Sequence, residues 1–414
     1  TTLDTTAPTT IVTIDSISDD SGVSSTDFIT NDNNGLTIHA TLGAALATGE
    51  KLWYSKDNGT TWTNITTSVT GTAVSYADST LTTTNTIKLR VGDAANNYAA
   101  AAAQRVVIDT SGTTDENGNP DANTSVTVSI DAITDDSGAS STDFITTDNG
   151  LVYSGSVTNF TANGDVIKLE LKDANNAVLE TIYVTPVSNA WSWTDTNSSR
   201  ADGNYTLVAT VVDKSGNRVN NNTAGQDTQI VTIDTDGSKN TDHNNGSGTP
   251  TTDTNTTAAV TIDAISVDSG VSGSDFITND NSLIYSGSVT GFANNGDVVK
   301  VQITPAGGTT VTAYATVAMT GASTGTWSLD KSAINLADGN YTVVATISDK
   351  AGNRVNTGAT GQATQIVTID SDGSKNTDHS NGSGTPATDG NSNATTGATA
   401  SIDSISADSS TSPS

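Results

Sequence analysis

Aspartates recur at one fixed spacing in three places along the chain. The first set is Asp15, Asp20, Asp27 and Asp32, whose members lie five, seven and five residues apart. Two later sets keep the same spacing: Asp131, Asp136, Asp143 and Asp148, then Asp263, Asp268, Asp275 and Asp280. Calcium takes about six to eight oxygen ligands, and loops rich in Asp, Asn, Thr and Gly supply carboxylate, amide and carbonyl oxygens. Each set, which we call a cassette together with the residues between its members, is therefore a candidate calcium-binding loop.

The last three aspartates of each cassette are the predicted calcium ligands. They are Asp20, Asp27, Asp32, Asp136, Asp143, Asp148, Asp268, Asp275 and Asp280. We expect an acidic turn at the same pole of the fold, carrying Asp202 or Asp338, to add a further ligand. The Phe that follows the third aspartate, at Phe28, Phe144 and Phe276, is predicted to anchor the loop in the core. The alternative is a solvated acidic loop that binds nothing specific.

The charge balance limits the kinds of partner. The chain carries 16 basic and 45 acidic residues, a formal net charge of −29, which argues against nucleic acid and favours cations. No apolar run approaches the roughly 18 residues of a membrane span, so no membrane insertion is expected in this segment. With no cysteine, disulfides cannot cross-link the fold. Because it begins at Thr1, without a start Met or a signal peptide, the chain is expected to be an excerpt of a longer protein.

Alternating apolar residues predict the elements that hold the cassettes. In segments 205–212 and 341–348 every second side chain is apolar, as in a half-buried strand. Further strands of the third repeat are predicted at 259–265, 283–289, 298–303, 311–317, around Trp327 and at 365–369. About seven short strands in roughly 100 residues, with turn residues between them, indicate an antiparallel β-sandwich.

Two details favour an immunoglobulin-like sandwich. Tyr205 and Tyr341 each follow an Asp-Gly-Asn turn at the start of a strand, as in a tyrosine corner, and Trp191 and Trp327 lie fourteen residues before them. We predict Ig-like domains at residues 1–110, 125–234 and 258–370, linkers at 111–124, 235–257 and 371–397, and the start of a truncated fourth repeat at 398–414. In that last segment Ile402, Asp403, Ile405 and Asp408 begin another cassette.

The second and third repeats share a longer pattern. Segments 191–217 and 327–353 read Trp-Ser, then Ala-Asp-Gly-Asn-Tyr, then Asp-Lys-x-Gly-Asn. This pattern resembles the bacterial immunoglobulin-like repeat domains of giant type I secreted RTX adhesins. The cassette, with its Asp-Ser-Gly and Asp-Phe-Ile-Thr segments, is similar to calcium-rich segments of that family.

The resemblance implies calcium at the boundaries between domains. The candidate ligands there are Asp234 and Asp236, and Asp370 and Asp372, in the Asp-x-Asp-Gly turns that end the last strand of their domains. Asp213 and Asp349, each four residues before an Asn, are expected at the opposite pole of each sandwich. The Gly- and Asn-rich linkers are either flexible spacers or ordered loops held by cations.

The expected function is that of a calcium-stabilised extender in a bacterial cell-surface or secreted adhesin, which supports attachment or biofilm cohesion outside the cell. Its partners would be calcium ions, neighbouring repeats and other chains of the adhesin. One alternative is a self-assembling surface layer or matrix fibre. A second is a glycan-binding module that uses an exposed Trp53 or Tyr54 of the divergent first repeat. An enzyme is not expected, because no nucleophile, base and oxyanion constellation stands out; the Asp-box pattern at 55–62 predicts a hairpin turn.

Overall fold

The structure is a computed structural model of the 414-residue chain. It describes residues 4–388 except 198, 240, 242–247, 254, 295 and 376–381. The predicted start of a fourth repeat at 398–414, with Ile402, Asp403, Ile405 and Asp408, lies outside the described residues.

Strands dominate the described chain, and they fall into three successive groups. The first group is β1 (Val12–Ile17), β2 (Ile29–Thr30), β3 (Leu36–Leu42), β4 (Lys51–Ser55), β5 (Thr63–Asn64), β6 (Val69–Thr70), β7 (Ala73–Asp78), β8 (Asn85–Gly92) and β9 (Ala102–Ile108). The second is β10 (Thr127–Ile133), β11 (Ile145–Thr146), β12 (Val152–Thr158), β13 (Val166–Lys172), β14 (Val178–Val184), β15 (Ala190–Thr194), β16 (Gly203–Val212) and β17 (Gln226–Ile233). The third is β18 (Ala259–Val260), β19 (Ala264–Ile265), β20 (Ile277–Thr278), β21 (Ile284–Thr290), β22 (Asp297–Pro305), β23 (Val311–Met319), β24 (Thr324–Asp330), β25 (Gly339–Asp349) and β26 (Gln362–Ile369). Short 3₁₀ helices lie at Thr66–Ser68, Thr223–Gly225 and Ala359–Gly361.

The predicted class, tandem immunoglobulin-like β-sandwiches, is confirmed. The first group forms two sheets, ordered β1-β3-β7-β6 and β2-β9-β8-β4-β5. The second forms β10-β12-β15 and β11-β17-β16-β13-β14. In the third, β23 pairs with both β22 and β24 and joins the strands into one sheet, ordered β18-β21-β24-β23-β22-β25-β26-β20, with β19 beside β21.

The described residues fall into two compact units. The first takes those within Thr1–Thr134, Gly150–Ser199 and Asn204–Val231, and the second those within Asp135–Asn149, Arg200–Gly203 and Thr232–Ser414. The division runs through the second repeat, and its cassette belongs to the unit that contains the third repeat. The domain limits that we predict from the repeat pattern stay a prediction.

Each cassette carries the chain from one layer of its sandwich to the other, and in the third repeat the two layers are joined into one sheet through β23. In the first repeat β1 pairs antiparallel with β3, whereas β2, eleven residues further on, pairs parallel with β9 in the opposite sheet. The same parallel pairing recurs between β11 and β17 and between β20 and β26. The invariant spacing therefore matches an invariant crossing between the two layers of the sandwich.

A buried Phe fixes each crossing, as predicted. Phe28, Phe144 and Phe276 are buried and hold φ near 60°, a left-handed conformation that is uncommon for a bulky residue. In each cassette one oxygen of the second Asp accepts a hydrogen bond from the Phe backbone N–H, over 3.1 Å in the first repeat. Asp20, Asp136 and Asp268 thus hold the strained turn that inserts the ring into the core.

Two aromatic predictions can be read directly from the core. The hydroxyl of Tyr341 donates to the carbonyl of Ala337 over 2.8 Å, which confirms the tyrosine corner. Trp327 is fully buried and its indole N–H donates to the carbonyl of Thr261.

The expectation of an exposed Tyr54 is wrong: the side chain is 2% exposed and donates to Asp78 Oδ2. Tyr54 points inward because its neighbours in β4 alternate, and Trp53 takes the outward position.

Two cassettes also pack against the following repeat. In the first unit the Val23 N–H donates to the carbonyl of Lys214 over 3.1 Å, and in the second the Ala139 N–H donates to that of Lys350 over 3.0 Å. Glycine permits this approach, since a Cβ on Gly138 would lie 2.0 Å from the Lys350 carbonyl oxygen. Gly270, at the same place in the third cassette, has no described atom within 4 Å of that position. The first two cassettes are thus both a crossing between layers and a docking surface.

Gly138→Ala and Gly270→Ala form a matched pair that isolates this docking. Both glycines have positive φ, 95° and 104°, so both substitutions cost about 1–2 kcal/mol of backbone strain. Only Gly138→Ala also collides with a neighbouring backbone, which should lower the free energy of unfolding by about 1–3 kcal/mol more. We expect faster hydrogen exchange at the Ala139 amide and around Lys350 in that variant alone. Equal exchange changes in the two variants would contradict docking through the cassette.

Candidate cation sites at the ends of the repeats

Three carboxylates meet where the last strand of the second repeat ends. Asp202 lies in the turn before β16, and Asp234 and Asp236 follow β17; oxygens of the three lie within 4.8 Å of one another. The third repeat repeats the arrangement with Asp338, Asp370 and Asp372. Within the part of the chain that the structure describes, no other group of three His, Cys, Asp or Glu is this close.

Hydrogen bonds within the turns hold the carboxylates of Asp202 and Asp338 in place in these triads. Asp202 Oδ1 accepts from the N–H and the hydroxyl of Thr235, over 3.0 and 2.9 Å, and Asp338 does the same with Ser371. As additional cassette ligands Asp202 and Asp338 stay a prediction, and in the structure they lie with the strand-end aspartates, next to the ends of β11 and β20. The reason is that β16 and β25 begin next to the point where the last strand of their sheet ends.

In the second unit the triad adjoins a carboxylate of the following repeat. Asp234 and Asp349 are 0% and 1% exposed, and the Asn353 side-chain N–H donates to the Asp234 carbonyl over 2.7 Å. Burial, and next the negative charge of Asp349, raise the pKa of Asp234 to about 7. Burial likewise raises the pKa of Asp349. Two like charges thus face each other out of water, which is unfavourable unless a proton or a cation intervenes.

The row of carboxylates continues into the third repeat. Asp297 is buried, and burial together with the charges of Asp253 and Asp349 raises its pKa to about 6. Asn255 donates to Asp297 Oδ2 over 3.1 Å, and the Ala293 N–H donates to the same oxygen over 2.7 Å. The order Asp253, Asp297, Asp349, Asp234, Asp202, Asp236 therefore runs from one repeat to the next.

The first unit contains an equivalent cluster. Asp109 ends β9, and its carbonyl accepts from the Asn217 side chain over 2.8 Å. Burial raises the pKa of Asp165 and of Asp213 to about 6; the charge of Asp121 contributes to the first and that of Asp109 to the second. Asn123 donates to Asp165 Oδ2 over 2.7 Å.

Two oxygens in this cluster have no donor. Asp109 Oδ2 and Asp121 Oδ2 are buried without a hydrogen-bond partner among the described residues, and Asp121 as a whole is only 6% exposed. An orphaned buried carboxylate oxygen is costly. The donor set consists of carboxylates and amides without sulfur or imidazole, which suits a hard cation such as calcium. The residues therefore fit the ion that the sequence led us to expect.

The cassette aspartates are arranged differently. Asp27 and Asp32 each accept a backbone N–H two residues ahead, from Ile29 and Asn34. The first and second predicted ligands interact: burial, and then the charge of Asp136, raise the pKa of Asp143 to about 6, and Asp27 adds to the rise at Asp20. Asp20 Oδ1, Asp136 Oδ1 and Asp268 Oδ1 are buried without a described partner. Among the described residues Asp32, Asp148 and Asp280 join no such group of three carboxylates, so the cassette ligand sets stay a prediction.

Sequence reasoning missed five of the clustered aspartates: Asp109, Asp121, Asp165, Asp253 and Asp297. A signal was present in both repeats. Asp121 and Asp253 stand in an Asp-x-Asn pattern, and 44 residues later Asp165 and Asp297 end an Asn-Gly-Asp pattern. Each half is an ordinary turn sequence, so the pairing becomes meaningful only when the fold brings the two turns together.

No helix among the described residues has the length and apolarity of a membrane span.

Comparison with known proteins identifies the repeat. A model of the bacterial Ig-like domain matches residues 122–235 and 255–371, more than half of the chain. No curated protein sequence matches. The chain is similar to a tetra-tandem repeat in the extending region of a large adhesion protein, at 21% identity, over 88% of this chain and 76% of that one, with a TM-score of 0.19.

Two further solved structures are also similar to this chain. One is the BSP domain of a biofilm-associated protein, at 10% identity, over 81% of this chain and 63% of that one, with a TM-score of 0.18. The other is the FN1-FN3 segment of chicken CNTN1, at 9% identity, over 82% and 96%, with a TM-score of 0.28. The two tandem matches to the domain model, together with the paired sheets and the tyrosine corner, place this chain in the family of bacterial Ig-like domains.

Proposed function

We propose that this chain is a calcium-stabilised extender segment of a bacterial cell-surface or secreted adhesin of the RTX type. One observation carries the proposal: carboxylates from the end of one repeat and from a turn of the next lie buried together, as Asp234 and Asp349 do. A cation held by both repeats would fix their junction. A spacer needs such junctions and no catalytic group.

The mechanism is electrostatic. Without a cation, ionised Asp234, Asp349 and Asp297 repel one another in a buried setting, so the junction is favoured only when some of them are protonated. A bound calcium ion neutralises them and adds its binding free energy to the ordered state, about 4 kcal/mol at a thousand times Kd. Extracellular calcium is in the millimolar range that weak extracellular sites require. The proposed location is therefore outside the cell.

The cassette contributes backbone contacts to the junction, beside the carboxylate cluster. Its glycine turn rests on the Asp-Lys-x-Gly-Asn turn of the next repeat, which also supplies Asp213 or Asp349 to the carboxylate cluster. Docking and cation binding thus use the same turn. Loss of the cation would release the docked turn, and with it the fixed angle between neighbouring repeats.

The primary experiment is a thermal melt with small-angle scattering, in EDTA and then in about 5 mM calcium, a concentration above the weakest extracellular sites. We expect a higher Tm and a longer, stiffer particle in calcium. A higher Tm without lengthening would exclude the extender role and leave stabilisation alone. Unchanged Tm and dimensions would exclude both, and ordered polymers in calcium would favour a surface layer or fibre.

Asp121→Asn should have opposite effects with and without calcium. The Asn keeps the acceptor for the Asn123 N–H, which now binds Asp121 Oδ1 over 2.6 Å, and places an amide where the orphaned Oδ2 lies. At pH 8 in EDTA we expect the free energy of unfolding to rise by about 1–2 kcal/mol. Calcium titration should show at least about tenfold weaker binding, because the site loses a charge. Asp330→Asn, at an exposed residue outside the cassettes and the carboxylate clusters, is the control with the same charge change; parallel behaviour of the two variants would count against a junction site.

The pH dependence in EDTA follows from the raised pKa values. The folded-state pKa is about 7 for Asp234 and about 6 for Asp143, Asp165, Asp213 and Asp297, above the ordinary value of 3.8. The folded state therefore binds more protons than the unfolded state between about pH 4 and 7, so these groups favour folding below pH 4 and lose that contribution as pH rises through 6–7. We expect Tm in EDTA to fall from pH 5 to pH 8.

Calcium should remove this fall, because the ion replaces the protons at the same carboxylates. Melts at pH 5, 6, 7 and 8, each in EDTA and in calcium, give the comparison. A Tm that rises across this range in EDTA would contradict the burial of these groups as like charges.

A further inference from the structure

The first repeat carries an arginine held between two aromatic rings. On the outward faces of β4 and β8, Trp53 lies opposite Arg90. The Arg90 guanidinium carbon is 3.8 Å from the ring centre of Trp62 and 3.6 Å from that of Tyr98. Trp53 meets Tyr98 edge-on at 6.4 Å and 79°. We call Trp53, Trp62, Tyr98 and Arg90 the aromatic platform; all four side chains are partly exposed.

Local sequence builds the platform from both sides. The Asp-box turn is held by Asp57, whose Oδ1 accepts from the Thr61 N–H over 2.8 Å, and the Trp62 indole N–H donates to the Gly59 carbonyl over 2.9 Å. This fixes one ring over Arg90. On the other side Gly92 leaves room for Tyr98, since a Cβ there would lie 2.7 Å from the ring. The hairpin predicted from the Asp-box is therefore present and serves to position Trp62.

The guanidinium itself has unused donors. No described residue accepts a hydrogen bond from Arg90 or forms an ion pair with it, and Nε is buried without a partner. With two rings stacked against the guanidinium and Nε buried, the terminal Nη1 and Nη2 edge is left for further contacts. A carboxylate binds guanidinium in that plane through two parallel hydrogen bonds. The arrangement thus favours a planar anion over a spherical one.

Three cations, Arg90, Lys51 and Lys88, outnumber the two nearby carboxylates of Asp57 and Asp93, although the chain as a whole is strongly acidic. Lys51 lies opposite Gly92 and Lys88 opposite Ser55 on the same outward face. The nearby carboxylates of Asp57 and Asp93 are engaged in their own turns, with Thr61 and Asn97. The patch is therefore open to an external anion.

The second repeat provides a contrast at the equivalent outward face. There Lys168 pairs with Glu170 over 2.7 Å, and Lys172 approaches the same carboxylate at 3.8 Å. Its charges are compensated within the face, and no aromatic ring covers them in the described contacts. The platform is thus a feature of the first repeat and not of the repeat family pattern.

We propose that the aromatic platform binds an acidic polysaccharide with uronate residues. The partly exposed rings of Trp53, Trp62 and Tyr98 offer flat apolar surface for the faces of sugar rings. Arg90 receives the sugar carboxylate in its plane, and Lys51 and Lys88 attract the polymer. The first repeat thereby adds a ligand to the chain independently of the calcium sites.

The test is calorimetric titration of the full chain with polygalacturonate, a uronate homopolymer, and with neutral dextran. It is done in EDTA, because calcium could bridge the polymer to the acidic clusters. We expect binding of polygalacturonate alone. Arg90→Gln and Trp53→Ala should each weaken it at least about tenfold, which is the loss of one strong contact. Lys168→Gln, on the matching face of the second repeat, should leave it unchanged.

Several outcomes would overturn the proposal. These are no binding of polygalacturonate, equal weakening by Lys168→Gln, or equal affinity for sulfated dextran, which lacks a planar carboxylate. Circular dichroism checks that Arg90→Gln folds. If that variant does not fold, Lys88→Gln replaces it, because Lys88 faces outward. Lys88→Gln should weaken binding of polygalacturonate less than Trp53→Ala does. Sedimentation velocity without polymer adds a last arm: self-association abolished by Trp53→Ala would assign the platform to an acidic surface of a second copy.

Discussion

The burial of like charges is the constraint on which the rest of this molecule depends. Carboxylates leave water only if a proton, a donor or a cation compensates them, and the ends of these repeats bury Asp234 and Asp349 with neutral backbone and amide donors that cancel no charge. In a chain with a net charge of −29, spread-out acidic residues would favour solubility. Concentrating them between repeats instead makes the junction the place where solution conditions act on the structure.

The cassette connects this constraint to the sandwich. It crosses between the layers, inserts a Phe into the core and, in the first two repeats, rests on the next repeat through its glycine turn. Because these tasks depend on one stretch of backbone, an insertion in the loop would disturb core, crossing and junction together. That explains why the spacing is constant while the bodies and linkers vary in length.

The first repeat shows how such a unit can gain a separate role. Its core and crossing resemble those of the other repeats. The outward face of β4 and β8, however, carries aromatic rings around Arg90 where the second repeat carries paired charges. Outward positions of a sandwich are free to change because they contribute little to the buried core. The platform and the junction lie on different parts of the repeat and use opposite charges, so one can be lost without the other.

The sequence by itself determined the repeat, the positions of most strands in the third repeat and several inward residues, since alternation and recurrent turns report local geometry. It determined that Phe28 and Tyr341 lie in the core and that acidic loops mark the repeat ends. It did not determine that Tyr54 points inward, because a short strand can be read in either phase. Only the tertiary structure decided which aspartates meet: Asp121 and Asp165 are 44 residues apart and come together because two turns of different strands share one pole. Carboxylate clusters arise from through-space proximity, which a linear pattern of turn residues does not encode.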